Sequence, residues 1–228
     1  MKFQLNLVKS ILAVAGVAAV SAVSAAPASA IGFGFSNITG GATSGDAYAS
    51  KFSFDVTDGG ANNVLFKIAN NTSVASIFIG SVYFDTGSNT NLLTNFGVNV
   101  GNSAGVLFKN DGAKNMSQST HLQDAWSTDF SATKSGGQGG VDTGEMLGVS
   151  FTGNYDKVVS ALTAGTLRLG LHVQGLPPLP GQSTSDSFVS STSNTEATPE
   201  PLTMLAAGAA VGFGAMFKKQ RAQAQKAE

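Results

Sequence analysis

Thr166-Leu167-Arg168-Leu169-Gly170-Leu171-His172-Val173-Gln174 alternates without a break. Leu167, Leu169, Leu171 and Val173 fall on one side, and Arg168, Gly170, His172 and Gln174 on the other. That is the period-two signature of a strand with one buried face. The next stretch, Leu176-Pro177-Pro178-Leu179-Pro180, must leave the sheet, because proline cannot donate to a ladder. Phe188 and Val189 add one short last strand.

The same pattern recurs upstream. From Tyr48 onward, Phe52, Phe54 and Val56 oppose Lys51, Ser53, Asp55 and Thr57. The turn Asp58-Gly59-Gly60-Ala61-Asn62-Asn63 tolerates positive φ, and Val64, Phe66 and Ile68 form the inward face of a returning strand, so a hairpin is expected. Residues 76–85 differ. Phe78, Val82 and Phe84 lie on one face and Ile77, Ile79 and Tyr83 on the other, so a central strand with both faces covered is expected. Weaker strands are expected at 97–100 and 106–109. Leu147, Val149 and Phe151 alternate again after the glycine-rich turn Ser135-Gly136-Gly137-Gln138-Gly139-Gly140. One short helix is expected, with Asp156 as cap, Val158, Val159 and Leu162 on one face and Gly165 as stop.

Many short strands with Gly/Asn turns and a single short helix define an all-β domain, an antiparallel β-sandwich or jelly roll, over residues 31–189. The length suffices for one core. Residues 31–200 carry seven basic and thirteen acidic residues, a surplus of six negative charges. That balance suits solubility and argues against nucleic acid as a partner. The chain has no cysteine, which excludes disulfides, thiolate zinc sites and a cysteine nucleophile.

Catalytic chemistry is hard to assemble. The only histidines are His121, in a polar loop, and His172, opposite the leucine face of its strand. No Gly-x-Ser-x-Gly elbow accompanies them. Asp55 and Asp58, Asp124 and Asp129, and Asp142 and Glu145 are the closest carboxylate pairs. None has the spacing of a calcium hand or singles itself out as a glycosidase pair. The expectation is therefore a protein that is not an enzyme, with no metal or cofactor. Calcium held by scattered loop acids is the one exception left open. Trp126, the sole tryptophan, lies among Gln123, Asp124, Ser127, Thr128 and Asp129. It can stack on a sugar ring, as can Tyr48, Tyr83 or Tyr155, or pack on the core with its N–H bonded.

The ends carry addresses. Lys2 and Lys9, an apolar run at 11–23 and Ala28-Ser29-Ala30 read as a signal peptide over 1–30, with signal peptidase cutting after Ala30. Residues 190–198 read as a Ser/Thr-rich stalk. Pro199-Glu200-Pro201 then precedes an apolar segment, 202–217, closed by Lys218, Lys219 and Arg221. Residues 222–228 form a cytoplasmic end. Sixteen helical residues rise about 24 Å against a hydrocarbon core of about 30 Å, so the span is short. The basic cluster would stay cytoplasmic and leave the acidic domain outside, as the signal peptide also predicts.

Pro199-Glu200-Pro201, the small-residue apolar run and Lys218-Lys219-Gln220-Arg221 resemble the PEP-CTERM sorting tail of exported bacterial proteins. The resemblance covers residues 199–221. It implies an exosortase-type processing enzyme as partner, and a role at the cell surface or in the exopolysaccharide matrix. The segments Gly144-Glu145-Met146-Leu147-Gly148-Val149-Ser150-Phe151 and 165–174 are similar to the body of other members, which implies a β-sandwich and brings no known active site. The function expected is an exported surface or matrix protein. The alternative is a carbohydrate-binding or calcium-dependent adhesin module.

Overall fold

Ten strands and one α-helix make up the part of the chain that the computed structural model describes, residues 30–195. In order they are β1 (Ala30–Asn37), β2 (Phe52–Gly60), β3 (Asn63–Asn70), β4 (Phe78–Asp85), β5 (Thr94–Val98), β6 (Phe108–Gly112), β7 (Phe130–Lys134), β8 (Met146–Thr152), α1 (Tyr155–Thr163), β9 (Arg168–Gln174) and β10 (Ser185–Thr195). All pair antiparallel in a single sheet of order β5-β8-β3-β2-β1-β10-β9-β4-β7-β6. The all-β class and the one short helix are as the alternation predicts.

The sheet curls into a near-barrel. Phe151 of β8 and Phe84 of β4 are separated by five strands along the ladder, yet their ring centroids are 4.9 Å apart. Phe33, Phe54, Phe66, Phe84 and Phe151 run through this interior in stacked, tilted and edge-on pairs. All five are almost wholly buried, each at about 2 kcal/mol of transfer free energy. The two end strands do not ladder. Beyond β5, Asn99 takes the place of a ladder: its Nδ2 donates to the Phe108 carbonyl at 2.7 Å, and its Oδ1 accepts the Phe108 N–H at 2.8 Å. Asn102 braces it, donating to Asn99 Oδ1 at 2.9 Å and accepting the Gly148 N–H at 2.8 Å. Two amide side chains thus clasp the seam.

Register divides the molecule into two poles. β1 starts and β10 ends side by side, Gly32 opposite Thr195. This terminal pole also holds the β2–β3 hairpin, whose Ala61 and Asn62 have φ of 49° and 60°, and α1, which buries Val158 and Leu162. The opposite, distal pole holds the connections β1–β2, β3–β4, β5–β6, β7–β8 and β9–β10.

Four local expectations are corrected. The helix cap is Asn154, whose side chain accepts the Lys157 N–H at 3.0 Å; Asp156 sits in the first turn instead. Tyr48 belongs to a short 3-10 helix (Asp46–Lys51), so β2 begins only at Phe52. A bulge between Ile79 and Ser81 shifts β4 by one residue, which turns Ile79 to the same core as Val82 and Phe84. The same slip puts Phe78, expected beside Val82 and Phe84, on the outer face with Tyr83, because a one-residue slip exchanges faces. Residues 190–195, expected to open the stalk, form the second half of β10 against β1. Backbone groups make ladder bonds, so a Ser/Thr run pairs as readily as an apolar one when a neighbouring edge is free. Two strands had no expectation, β1 with its Gly32 and Gly34, and β7.

Candidate functional site

On the outer face of β10, β9, β4 and β7 the pairing aligns Ser187, His172, Ser81 and Thr133 in one polar row. His172 Nδ1 lies 3.4 Å from Ser187 Oγ. Burial lowers the His172 pKa, and the Asp186 charge partly opposes this. Asp186 itself lies on the other face of β10, where its carboxylate accepts the Gly45 and Ser187 N–H groups at 2.8 Å each. A serine, a histidine and an aspartate are therefore near one another without forming a relay, since successive strand residues point to opposite faces.

Next to that row the β6–β7 connection folds back over the sheet. Met116, Leu122 and Trp126 pack on Ile38, Tyr83 and Val189. Burial raises the Tyr83 pKa. Gly170 leaves room for the flap: a Cβ there would come within 3.1 Å of Trp126. The Trp126 indole N–H donates to Thr128 Oγ1 at 2.7 Å, and the Arg168 guanidinium covers the ring at 5.1 Å from its centroid. Arg168 is paired with buried Asp85 and also donates to the Ala125 carbonyl. Trp126 is thus half-buried, with its N–H bonded and one face occupied. His121 closes a single 3-10 turn (Ser119–His121) in the same flap.

The remaining polar candidates are dispersed. Asp55 and Asp58 lie on β2, Asp124 and Asp129 in and beside the flap, and Asp142 and Glu145 at the distal pole. Among the described residues no three His, Asp or Glu side chains gather as metal ligands. Of the remaining expected site residues, Ala30 opens β1 and pairs with Thr57. Ala28, Pro199, Glu200, Pro201, Lys218, Lys219 and Arg221 lie outside the described residues, as do the signal and apolar terminal segments. No helix among the described residues is long and apolar enough to cross a membrane.

Two recesses are the sites that sequence reading missed. One, of about 320 Å³ at the terminal pole, is lined by Asp58, Gly60, Asn62, Asn154, Tyr155 and Asp156. The other, of about 180 Å³ at the distal pole, is lined by Phe78, Gly137, Gln138, Gly140 and Asp142. Its frame is rigid. Asn70, wholly buried, donates to the carbonyls of Ile77 and Val141 at 2.9 and 3.0 Å and accepts from Thr72 N and Oγ1 at 3.1 and 2.8 Å. Ile77 and Val141 precede Phe78 and Asp142, so one asparagine fixes both walls. Lys134 reaches over Phe78, 5.4 Å from the ring centroid, held by the carbonyls of Gly136 and Gly137 at 3.0 and 3.1 Å. Gly140 is required, since a Cβ would stand 2.8 Å from the Phe78 ring. The glycine run 136–140 was the available signal, though its partner Phe78 is remote in sequence.

No family model matches this chain, and neither a curated protein nor a solved structure does.

Proposed function

We propose that this chain is an exported, non-enzymatic protein of the bacterial cell surface or extracellular matrix. In this reading signal peptidase removes residues 1–30, and an exosortase-type enzyme acts at Pro199-Glu200-Pro201. The observation that carries it is the pairing of Gly32 with Thr195. The two ends of the described residues therefore lie at one pole, from which the two sorting segments would lead, and among the described residues the distal pole stands opposite them. The exposed large hydrophobics among the described residues, Val100, Leu107, Met146 and Leu179, all lie at that distal pole. We also read the curled sheet as jelly-roll-like, because β1·β10, β3·β8 and β4·β7 pair in nested order, with halves β5–β1 and β10–β6 facing across the core.

Intact mass of the protein from its native envelope tests the reading. A chain that starts at Ile31 and ends near Pro199 is expected. A full-length chain recovered from the cytosol overturns it. The alternative, a carbohydrate-binding module, is favoured by the polar recess around Phe78. Calcium dependence has no comparable support, and binding measured with and without a chelator decides it.

A further inference from the structure

The distal recess has a definite chemical character. Its lining includes the half-buried Phe78 ring, a carboxylate and an amide, and the Lys134 ammonium lies over that ring. The side chains of Gln138 and Asp142 are exposed and take part in no hydrogen bond or ion pair among the described residues. Lys134 has spent two of its donors on loop carbonyls and retains a third.

Each group excludes something. A cationic ligand would meet Lys134 over the aromatic ring, and an anionic one would meet Asp142 and the acidic surplus of the domain. A fully apolar ligand would strand the carboxylate and amide without partners. A neutral ligand rich in hydroxyls, with a small apolar patch for the part of the Phe78 ring that lines the recess, satisfies all of them. Asp142 can accept two neighbouring hydroxyls, Gln138 can both donate and accept, and Lys134 can donate. The volume, about 180 Å³, is below the range of roughly 300–1,000 Å³ for drug-sized ligands, and suits one ring rather than a chain. Asn70 holds both walls in place before any ligand arrives, which limits the ordering cost.

We infer that this recess binds a single neutral hexose residue of a polysaccharide, through Phe78, Gln138, Asp142 and Lys134. The inference rests on the proposed surface-matrix role and names its ligand class. Affinity for one residue is on the order of 1 mM, as expected for so few contacts, and many copies on a surface would bind a polymer by avidity.

The test uses the full chain in a detergent without sugar headgroups. Saturation-transfer NMR is run with oligosaccharides ending in glucose, galactose or mannose, and with uronic-acid and glucosamine oligomers as comparisons. At least one neutral oligosaccharide should receive saturation, with affinity reduced at least tenfold in Gln138→Ala and in Asp142→Ala. Both side chains are exposed and unbonded, so the variants should melt like the parent. Trp126→Phe should leave binding unchanged. Absence of binding to every neutral sugar, preference for the charged oligomers, or loss of binding in Trp126→Phe alone overturns the site. Protease shaving of intact cells reports location independently. A surface-exposed chain without sugar binding sinks the site only, while a cytosolic chain that binds sinks the export reading only.

Discussion

Single side chains hold together what the ladder does not. Asn70 is wholly buried and makes four hydrogen bonds that tie β3 to two distal loops. In Asn70→Ala two carbonyls, the Thr72 N–H and the Thr72 hydroxyl each lose this bond in a buried site, although the Val141 carbonyl keeps the Ile79 N–H and the hydroxyl keeps Thr143. The expected loss is about 2–4 kcal/mol, read as a lower urea midpoint with unchanged slope. His172 makes a second prediction. Its folded pKa is lowered, chiefly by burial, from the unfolded value near 6.5, and Asp186 only partly opposes this. The unfolded chain therefore takes up the proton first as pH falls. The stability is intact above about 6.5 and is lost progressively as pH drops through and below that value. His172→Gln should flatten this part of a stability curve between pH 7 and 5, and an unchanged slope would remove His172 as its cause.

At the scale of the element, the β6–β7 flap is an annex to the core. It covers the outer face with Met116, Leu122 and Trp126 and is pinned by Arg168, which pairs with buried Asp85 and stacks on the tryptophan. Gly170 gives it clearance. Gly170→Ala should press on Met116 and Trp126, cost about 1–3 kcal/mol, and speed proteolytic cleavage within residues 113–129 while the rest stays resistant. Cleavage elsewhere would show that the flap is not a separate unit. Of the two readings open for Trp126, packing on the core with its N–H bonded is the one the structure shows: the β6–β7 connection folds it onto β9, and its N–H goes to Thr128. The neighbours that matter, Gly170 and Arg168, are more than forty positions away.

For the whole molecule, β10 decides where the domain ends. Residues 190–195 supply three of the five cross-strand pairings to β1, and Ser190 Oγ accepts the Leu169 N–H at 3.0 Å. A chain stopped after Thr195 should melt like the parent. One stopped after Val189 should lose at least about 3 kcal/mol, or roughly 6–12 °C in melting temperature for a domain of this size. Equal melting of the two truncations would return these residues to the stalk. The same pairing places both ends of the described residues at one pole and the Phe78 recess at the other, and the proposed matrix role depends on that geometry.

Alternation by itself determined the all-β class, the inward faces of β2, β3, β8 and β9, the β2–β3 hairpin and the presence of α1, because period-two burial and turn chemistry are written in neighbouring residues. It could not place β1, where glycines dilute the pattern, or the polar half of β10, whose ladder to β1 is made by backbone groups that any residue carries. Tertiary structure decided the rest. A bulge reassigned Ile79, an asparagine clasp replaced the missing β5–β6 ladder, and Asn70 brought Phe78 against Gln138 and Asp142 from sixty positions away. Each of these depends on contacts between residues distant in sequence, and a local pattern carries no record of them.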